Sequence, residues 1–301
     1  MDRRLMRTIE EANWVGELAG RAYLDGHYHD ALVAADRSVL LTRQILRRMP
    51  DDQRALAAAV DRYRWRACTH EQLGNLAHAI DDAQAAIVLC ARREDPGPLE
   101  VPLMRLLQCE LHAELGHVEV ARAKGTAIEA YRRFRYDGDV GPVAVAEGFS
   151  RYGAAMALIG DLEEANQARR AGLAVYRAWR GKLWSDHRTR FVRTVTGLVE
   201  GVEPPDAATA PEVLPMMWEA VEELVPLIRP AVPSDPDPAA TEARRILAAQ
   251  SRWLDALGAR QASAEFARVS RAPDWIERLP SLHDLLERAL APAADPEGTV
   301  P

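Results

Sequence analysis

Histidine, cysteine and arginine are the residue types in this chain whose spacing could support chemistry. His27-Tyr28-His29 is the nearest approach to a metal pair. Residues two apart on a helix point in different directions, so these imidazoles do not converge on one ion. His70 and His112 each stand four residues before a glycine, on helix faces expected to pack against a neighbouring helix, and they read as packing histidines rather than general bases. Cys68, Cys90 and Cys109 show no Cys-x-x-Cys spacing and read as small, buried packing residues. The chain has no Gly-rich phosphate loop, no His-Glu-x-x-His and no zinc spacing. The reading is therefore of no catalytic residue, no metal and no cofactor.

Arginines carry a stronger pattern. They recur as Arg43, Arg47 and Arg48, then Arg92 and Arg93, then Arg132, Arg133 and Arg135, then Arg177 and Arg180, with Lys182 close behind. Two of these runs, 131–136 and 179–191, interleave cations with aromatic rings. That mixture can hold an acidic peptide, a phosphate-bearing ligand or nucleic acid. Two plainer accounts compete with it. Cations at helix C-termini gain about 0.3–1 kcal/mol each from the macrodipole, and an aromatic core beneath a solvated basic face has the same composition. A net charge of −7 speaks against general nucleic-acid binding.

The elements that must position these residues follow from a recurring frame. A glycine, an apolar residue two positions on and an alanine five positions on occur as Gly26/Tyr28/Ala31, Gly74/Leu76/Ala79, Gly116/Val118/Ala121 and Gly160/Leu162/Ala165. Seven residues before each glycine stands a small residue: Ala19, Ala67, Cys109 and Gly153. Glycine just past a periodic segment predicts a left-handed C-terminal cap. The small residues predict close approach of two helices on either side of it. Helices are expected over 3–24 and 28–48, 52–73 and 76–93, 99–115 and 118–135, and 143–159 and 162–182. Val15, Leu18, Ala19 and Ala22 mark one face of the first, with Trp14 beside them.

These residues resemble the tetratricopeptide repeat family, in which a small residue, a glycine and an alanine occupy the places of Ala67, Gly74 and Ala79. The glycines are 48, 42 and 44 residues apart, longer than the roughly 34-residue repeat usual for the family, so the likeness is to its long-helix variety. The resemblance implies an all-α fold, a right-handed superhelical array of antiparallel helix pairs with additional C-terminal helices. It also implies a groove lined by the first helix of each pair. Its groove positions fall on Asn13, Gly16, Gly20 and Tyr23, on Arg64, Cys68 and Glu71, on Leu106 and Glu110, and on Ser150 and Ala154. The basic clamp that some members use for a peptide carboxylate is not reproduced.

Beyond residue 184 the frame is lost. The expected organisation is four helical hairpins over 1–184, capping helices over 185–229, a Pro-rich linker over 230–239, an acidic helical segment over 240–291 and a disordered tail over 292–301. Within these, helices are expected at 186–200, 212–228, 240–257, 261–270 and 281–290, with Gly258 capping a degenerate hairpin. Residues 201–301 hold 17 acidic against 9 basic side chains, so nearly all the net charge lies there. Hydrophobic content of 48%, a charged N-terminus and the absence of a long apolar run predict a cytoplasmic protein without a membrane segment. The function expected is a protein- or peptide-binding scaffold or adaptor that uses its groove or its arginine-rich edge, with an acidic segment, in cis or in trans, as one partner. An alternative is a ligand- or peptide-sensing regulator gated by its acidic C-terminal third. A third is a helical enzyme or biosynthetic accessory protein.

Overall fold

The computed structural model describes residues 3–133, 142–179, 210–225 and 238–291. The described residues are helical, with no strand among them, and the chain divides into two compact units, Met1–Lys182 and Leu183–Pro301. In the first unit α1 (Arg3–Leu24) pairs with α2 (Tyr28–Arg48), and α3 (Gln53–Gln72) with α4 (Leu76–Cys90). Next come α5 (Glu100–Glu114), α6 (Val118–Gly125) and α7 (Ile128–Arg133), then α8 (Pro142–Leu158) paired with α9 (Leu162–Trp179). Neighbouring pairs also touch, through α2 on α3, α4 on α5 and α5 on α8.

The punctuation is local chemistry. Gly26, Gly74, Gly116 and Gly160 all adopt positive φ, between 73° and 83°. At each, the glycine N–H donates three residues back and the next N–H donates five back, as in Gly74 to Glu71 at 2.9 Å and Asn75 to His70 at 2.8 Å. Gly258 closes a fifth turn in the same way, with φ 76°. The small residues then do what their size predicts. Ala31, Ala67, Ala79, Cys109, Ala121 and Ala165 are fully buried, and a Cβ on Gly153 would lie 3.3 Å from the Ala165 carbonyl oxygen. One apolar core runs from Val39 in α2 to Val175 in α9.

Three expectations for this unit need correction. Leu18 is 37% exposed although Val15 and Ala19 on the same face are buried, and Trp14 beside them points outward at 63% exposure. The helix expected over 118–135 breaks after Gly125. A Cβ there would come within 3.0 Å of the Tyr152 ring and 3.4 Å of Cys109 Sγ, so this glycine lets the chain lie close on α5 and α8. The Thr126 hydroxyl then donates to the Ala123 carbonyl at 2.9 Å, a bond that competes with the helical ladder. Finally, α4 stops at Cys90, leaving Arg92 and Arg93 in the turn beyond it.

In the second unit α10 (Ala210–Leu224) packs on α11 (Pro238–Ala256), α11 on α12 (Arg260–Val269), and α13 (Leu279–Leu290) on both α12 and α10. The stripe Leu214, Met217, Val221 and Leu224 is buried, as its spacing requires, together with Trp253 and Phe266. Helix α11 begins at Pro238, inside the expected linker, because proline is well placed in a first helical turn. The expected helix over 186–200, most of the linker (230–237) and the tail (292–301) lie outside the described residues. Among the described residues no helix is long and apolar enough to cross a membrane.

Candidate functional site

Helices α1, α3, α5 and α8 are the first helices of their pairs, and their side chains meet around one guanidinium. Arg151 on α8 donates through Nη1 to Glu71 Oε1 on α3 at 2.7 Å and to Glu110 Oε2 on α5 at 2.6 Å. Its Nη2 donates to Glu71 Oε2 at 3.1 Å and reaches Cys68 Sγ at 3.7 Å, and its Nε lies 3.4 Å from Glu147 Oε1 one turn earlier on α8. Three carboxylates thus share one cation. Every side chain in the group is at most 17% exposed.

Poor solvation governs the electrostatics. Burial works against the charge of Arg151, yet Glu71, Glu110, Cys68 and Glu147 together hold it protonated well above the usual arginine range. Burial pushes the Glu110 carboxyl up to about 8, with Arg151 pulling it down and Glu71 pushing it further up. Burial and then Glu71 also raise Glu114, one turn on. The Cys68 thiol is pushed up to about 11, again chiefly by burial. The Tyr23 phenol on α1 is raised for the same reason, with Cys68 and Glu71 adding. Glu110, Glu114, Cys68 and Tyr23 are thus each held neutral more strongly than in water.

Two flanks complete the face. Tyr23 makes edge contacts with Tyr28 at 5.5 Å and with Trp65 at 5.3 Å between ring centroids, and the Arg64 guanidinium lies 5.7 Å from the Trp65 ring centroid. On the other side, the Tyr131 ring from α7 lies against Gly148, where any Cβ would run into it. This close approach brings the Tyr131 hydroxyl into the electrostatic neighbourhood of Glu147, Arg151 and Arg64. Tyr131 is only 3% exposed, and its hydroxyl has no hydrogen-bond partner among the described residues.

Of the positions expected to line a groove, Tyr23, Arg64, Cys68, Glu71 and Glu110 belong to this neighbourhood. Gly20 leaves open space one turn before Tyr23, and Ser150, half-buried, adjoins Arg151. Asn13 is engaged elsewhere, its Oδ1 accepting from the buried Arg62 at 2.6 Å. Leu106 must be withdrawn from the expected set. It is fully buried, on the side of α5 that packs against its neighbours, while Arg105 beside it is exposed. Arg151, Glu147 and Tyr131 were not among the groove positions. Glu147 was legible, standing thirteen residues before Gly160 as Asn13 stands thirteen before Gly26. Arg151 lies one residue out of that register.

The arginine edge is different in character. Arg132 donates to Glu129 at 2.9 Å, Glu164 at 2.7 Å and Gln167 at 3.2 Å, and Arg93 pairs with Glu100. Arg133 remains 82% exposed, 3.9 Å from Glu129. Arg135, Arg180, Lys182 and the side chain of Arg177 lie outside the described residues. Of the histidines, His70 is buried and stacks on His78 at 5.2 Å, and burial lowers its pKa.

No protein-family model and no curated protein sequence matches the chain. Among solved structures it is similar to the crystal structure of BtubC (BKLC) from P. vanneervenii. The TM-score is 0.54 at 13% sequence identity, over 90% of this chain and 95% of that one. At this identity the likeness shows the fold alone.

Proposed function

We propose that this chain is a protein- or peptide-binding scaffold of the tetratricopeptide type. Its helix pairs stack as a right-handed superhelical array, and a partner segment lies on the face built by α1, α3, α5 and α8. What supports the reading is that Glu71 and Glu110, groove positions implied by the family resemblance and lying on two separate helices, meet at a single guanidinium, with Tyr23 and Trp65 alongside. A packed stack has no need of carboxylates at such places, since apolar residues of similar volume are often as stabilising. An acidic segment on the arginine edge, in cis or in trans, is the weaker reading: it would have to displace Glu129 and Glu164 from Arg132. The test is to pan a random peptide display library against the full chain and map the selected peptides by hydrogen exchange. Protection on α1, α3, α5 and α8 is the expected result. Protection confined to α10–α13, or no enrichment over an unrelated helical protein, refutes it.

A further inference from the structure

We propose that the outer flank of α1, formed by Glu11, Trp14 and Leu18 with Arg37 of α2 beside them, takes the same flank of a second copy of this chain. The surface is separate from the peptide-binding face and does not depend on it. Trp14 and Leu18 stand twelve and eight residues before Gly26. The same places in the later pairs hold Arg62 and Arg66, Met104 and Gln108, and Gly148 and Tyr152. Five of these six are buried and Arg66 is half-buried. The preceding pair covers them. Arg62 donates to Thr42 and Arg66 to Asp36, both on α2, and Gln108 donates to the Ile80 carbonyl on α4 at 3.4 Å. Gly148 lies against Tyr131 of α7, and the Tyr152 ring against Gly125 of α6. On α1 no helix among the described residues takes that place, and Trp14 and Leu18 stand in solvent.

Two more positions identify the occupant. Fifteen residues before the glycine and eleven after it, the later pairs carry small apolar residues packed on the core: Ala59 and Ala85, Val101 and Ala127, Val145 and Ala171. The first pair has Glu11 and Arg37 there, joined at 2.6 Å yet 44% and 52% exposed. Charges alone would suffice to close a stack against water. An indole beside an exposed ion pair is instead the composition of an interface, with an aromatic anchor inside a polar rim. Because the flank carries one charge of each sign, it is complementary to itself. A twofold axis sets each Glu11 beside the partner's Arg37 and lays one α1 on the other, where a helix packs in every later pair. Val33 marks the contrast. It is exposed too, but so are its counterparts Asp81, Ala123 and Gln167, so its face is one that no helix covers.

The test is sedimentation equilibrium of the full chain. The flank spans about two helical turns, so the dimer should be weak, with a Kd on the order of micromolar. Trp14→Ala should weaken dimerisation at least about tenfold without lowering the melting temperature of dilute protein, since the indole is exposed in the single chain. Val33→Ala should leave the Kd unchanged. Glu11→Arg and Arg37→Glu should each weaken self-association by about tenfold, because like charges then face each other across the twofold. An equimolar mixture of those two variants sets opposite charges across the interface and should associate to within about threefold of wild type. A wild-type chain that stays monomeric up to its solubility limit overturns the proposal, as does a Trp14→Ala variant that dimerises as tightly as wild type. A mixture that associates no more tightly than either charge variant alone overturns it as well, because an interface elsewhere on the chain would not register the exchange.

Discussion

Replacing Arg151 with methionine removes the cation that Glu71 and Glu110 share while keeping most of the side chain's volume. Deleting one partner of a buried ion pair costs about 3–5 kcal/mol, and the exposures here, 10% for Glu71 and 12% for Glu147, leave little solvent to soften that. A ceiling follows from proton uptake. A stranded glutamate can be neutralised from solution for about 3.7 kcal/mol at pH 7, but for only about 1.6 kcal/mol at pH 5.5. Glu110 adds little to the loss, since with its pKa at about 8 it already holds its proton at neutral pH. The penalty therefore falls mainly on Glu71 and Glu147. The sign is fixed by linkage: carboxyls neutral in the folded state and ionised in the unfolded one make stability fall as pH rises. In the wild type Glu110 gives such a decline from the ordinary carboxylate range up to about pH 8. In the methionine variant the decline should be steeper, with a deficit against wild type of about 3–5 kcal/mol at pH 7.5 that shrinks to about 1–2 kcal/mol at pH 5.5. Urea unfolding of the full chain at both pH values, with hydrogen exchange at α5 and α8 reporting the first unit, measures it. A deficit that is the same at both, or below about 1 kcal/mol at pH 7.5, refutes the picture of three desolvated carboxylates held by one arginine.

Two glycines should respond oppositely to alanine. At Gly148 the new methyl meets the Tyr131 ring, so Gly148→Ala should destabilise by roughly 1–3 kcal/mol. At Gly20, inside α1 with nothing within 4 Å, Gly20→Ala should stabilise by about 0.5–1 kcal/mol. Denaturation midpoints of the two variants decide this, and shifts of the same sign contradict it. The thiols should be inert: burial pushes Cys68 and Cys90 up to about 11 and Cys109 up to about 12. Ellman's reagent at pH 8 should leave all three unreacted in the native protein and titrate all three in urea; rapid native reaction of any of them contradicts their burial.

The hairpins were legible because their signals are short-range. A glycine cap needs only its own φ and carbonyls three and five residues back, so all five turns, and the limits of α1 and α2, could be placed from local pattern. At Gly125 and Trp14 the departure is decided by the neighbouring elements, whereas the early start of α11 at Pro238 is a local effect of proline. Nothing between 118 and 133 announces a break. Gly125 becomes one because Tyr152, on another pair, lies against it. Trp14 looks like core by residue type, but the neighbours that bury Val15 and Ala19 do not extend over its face of α1.

The site divides in the same way. The groove positions implied by the family resemblance include Glu71 and Glu110, and the same count would have supplied Glu147. Register could not supply their counter-ion, because Arg151 lies 80 residues beyond Glu71 and a pairing at that separation leaves no periodic trace. Nor could it show that Leu106, at an equally good position, would be fully buried. Charge counting is incomplete for a related reason. The runs of arginine suggested a basic edge and an acidic partner, yet a run counts charges without their counter-charges. Arg93 is matched by Glu100, Arg122 by Asp161, and Arg132 by Glu129 and Glu164. Those pairs answer part of the runs, while Arg133 stays 82% exposed. A count of like charges along the sequence therefore describes a surface only after each side chain's counter-charge, supplied by another helix, has been placed.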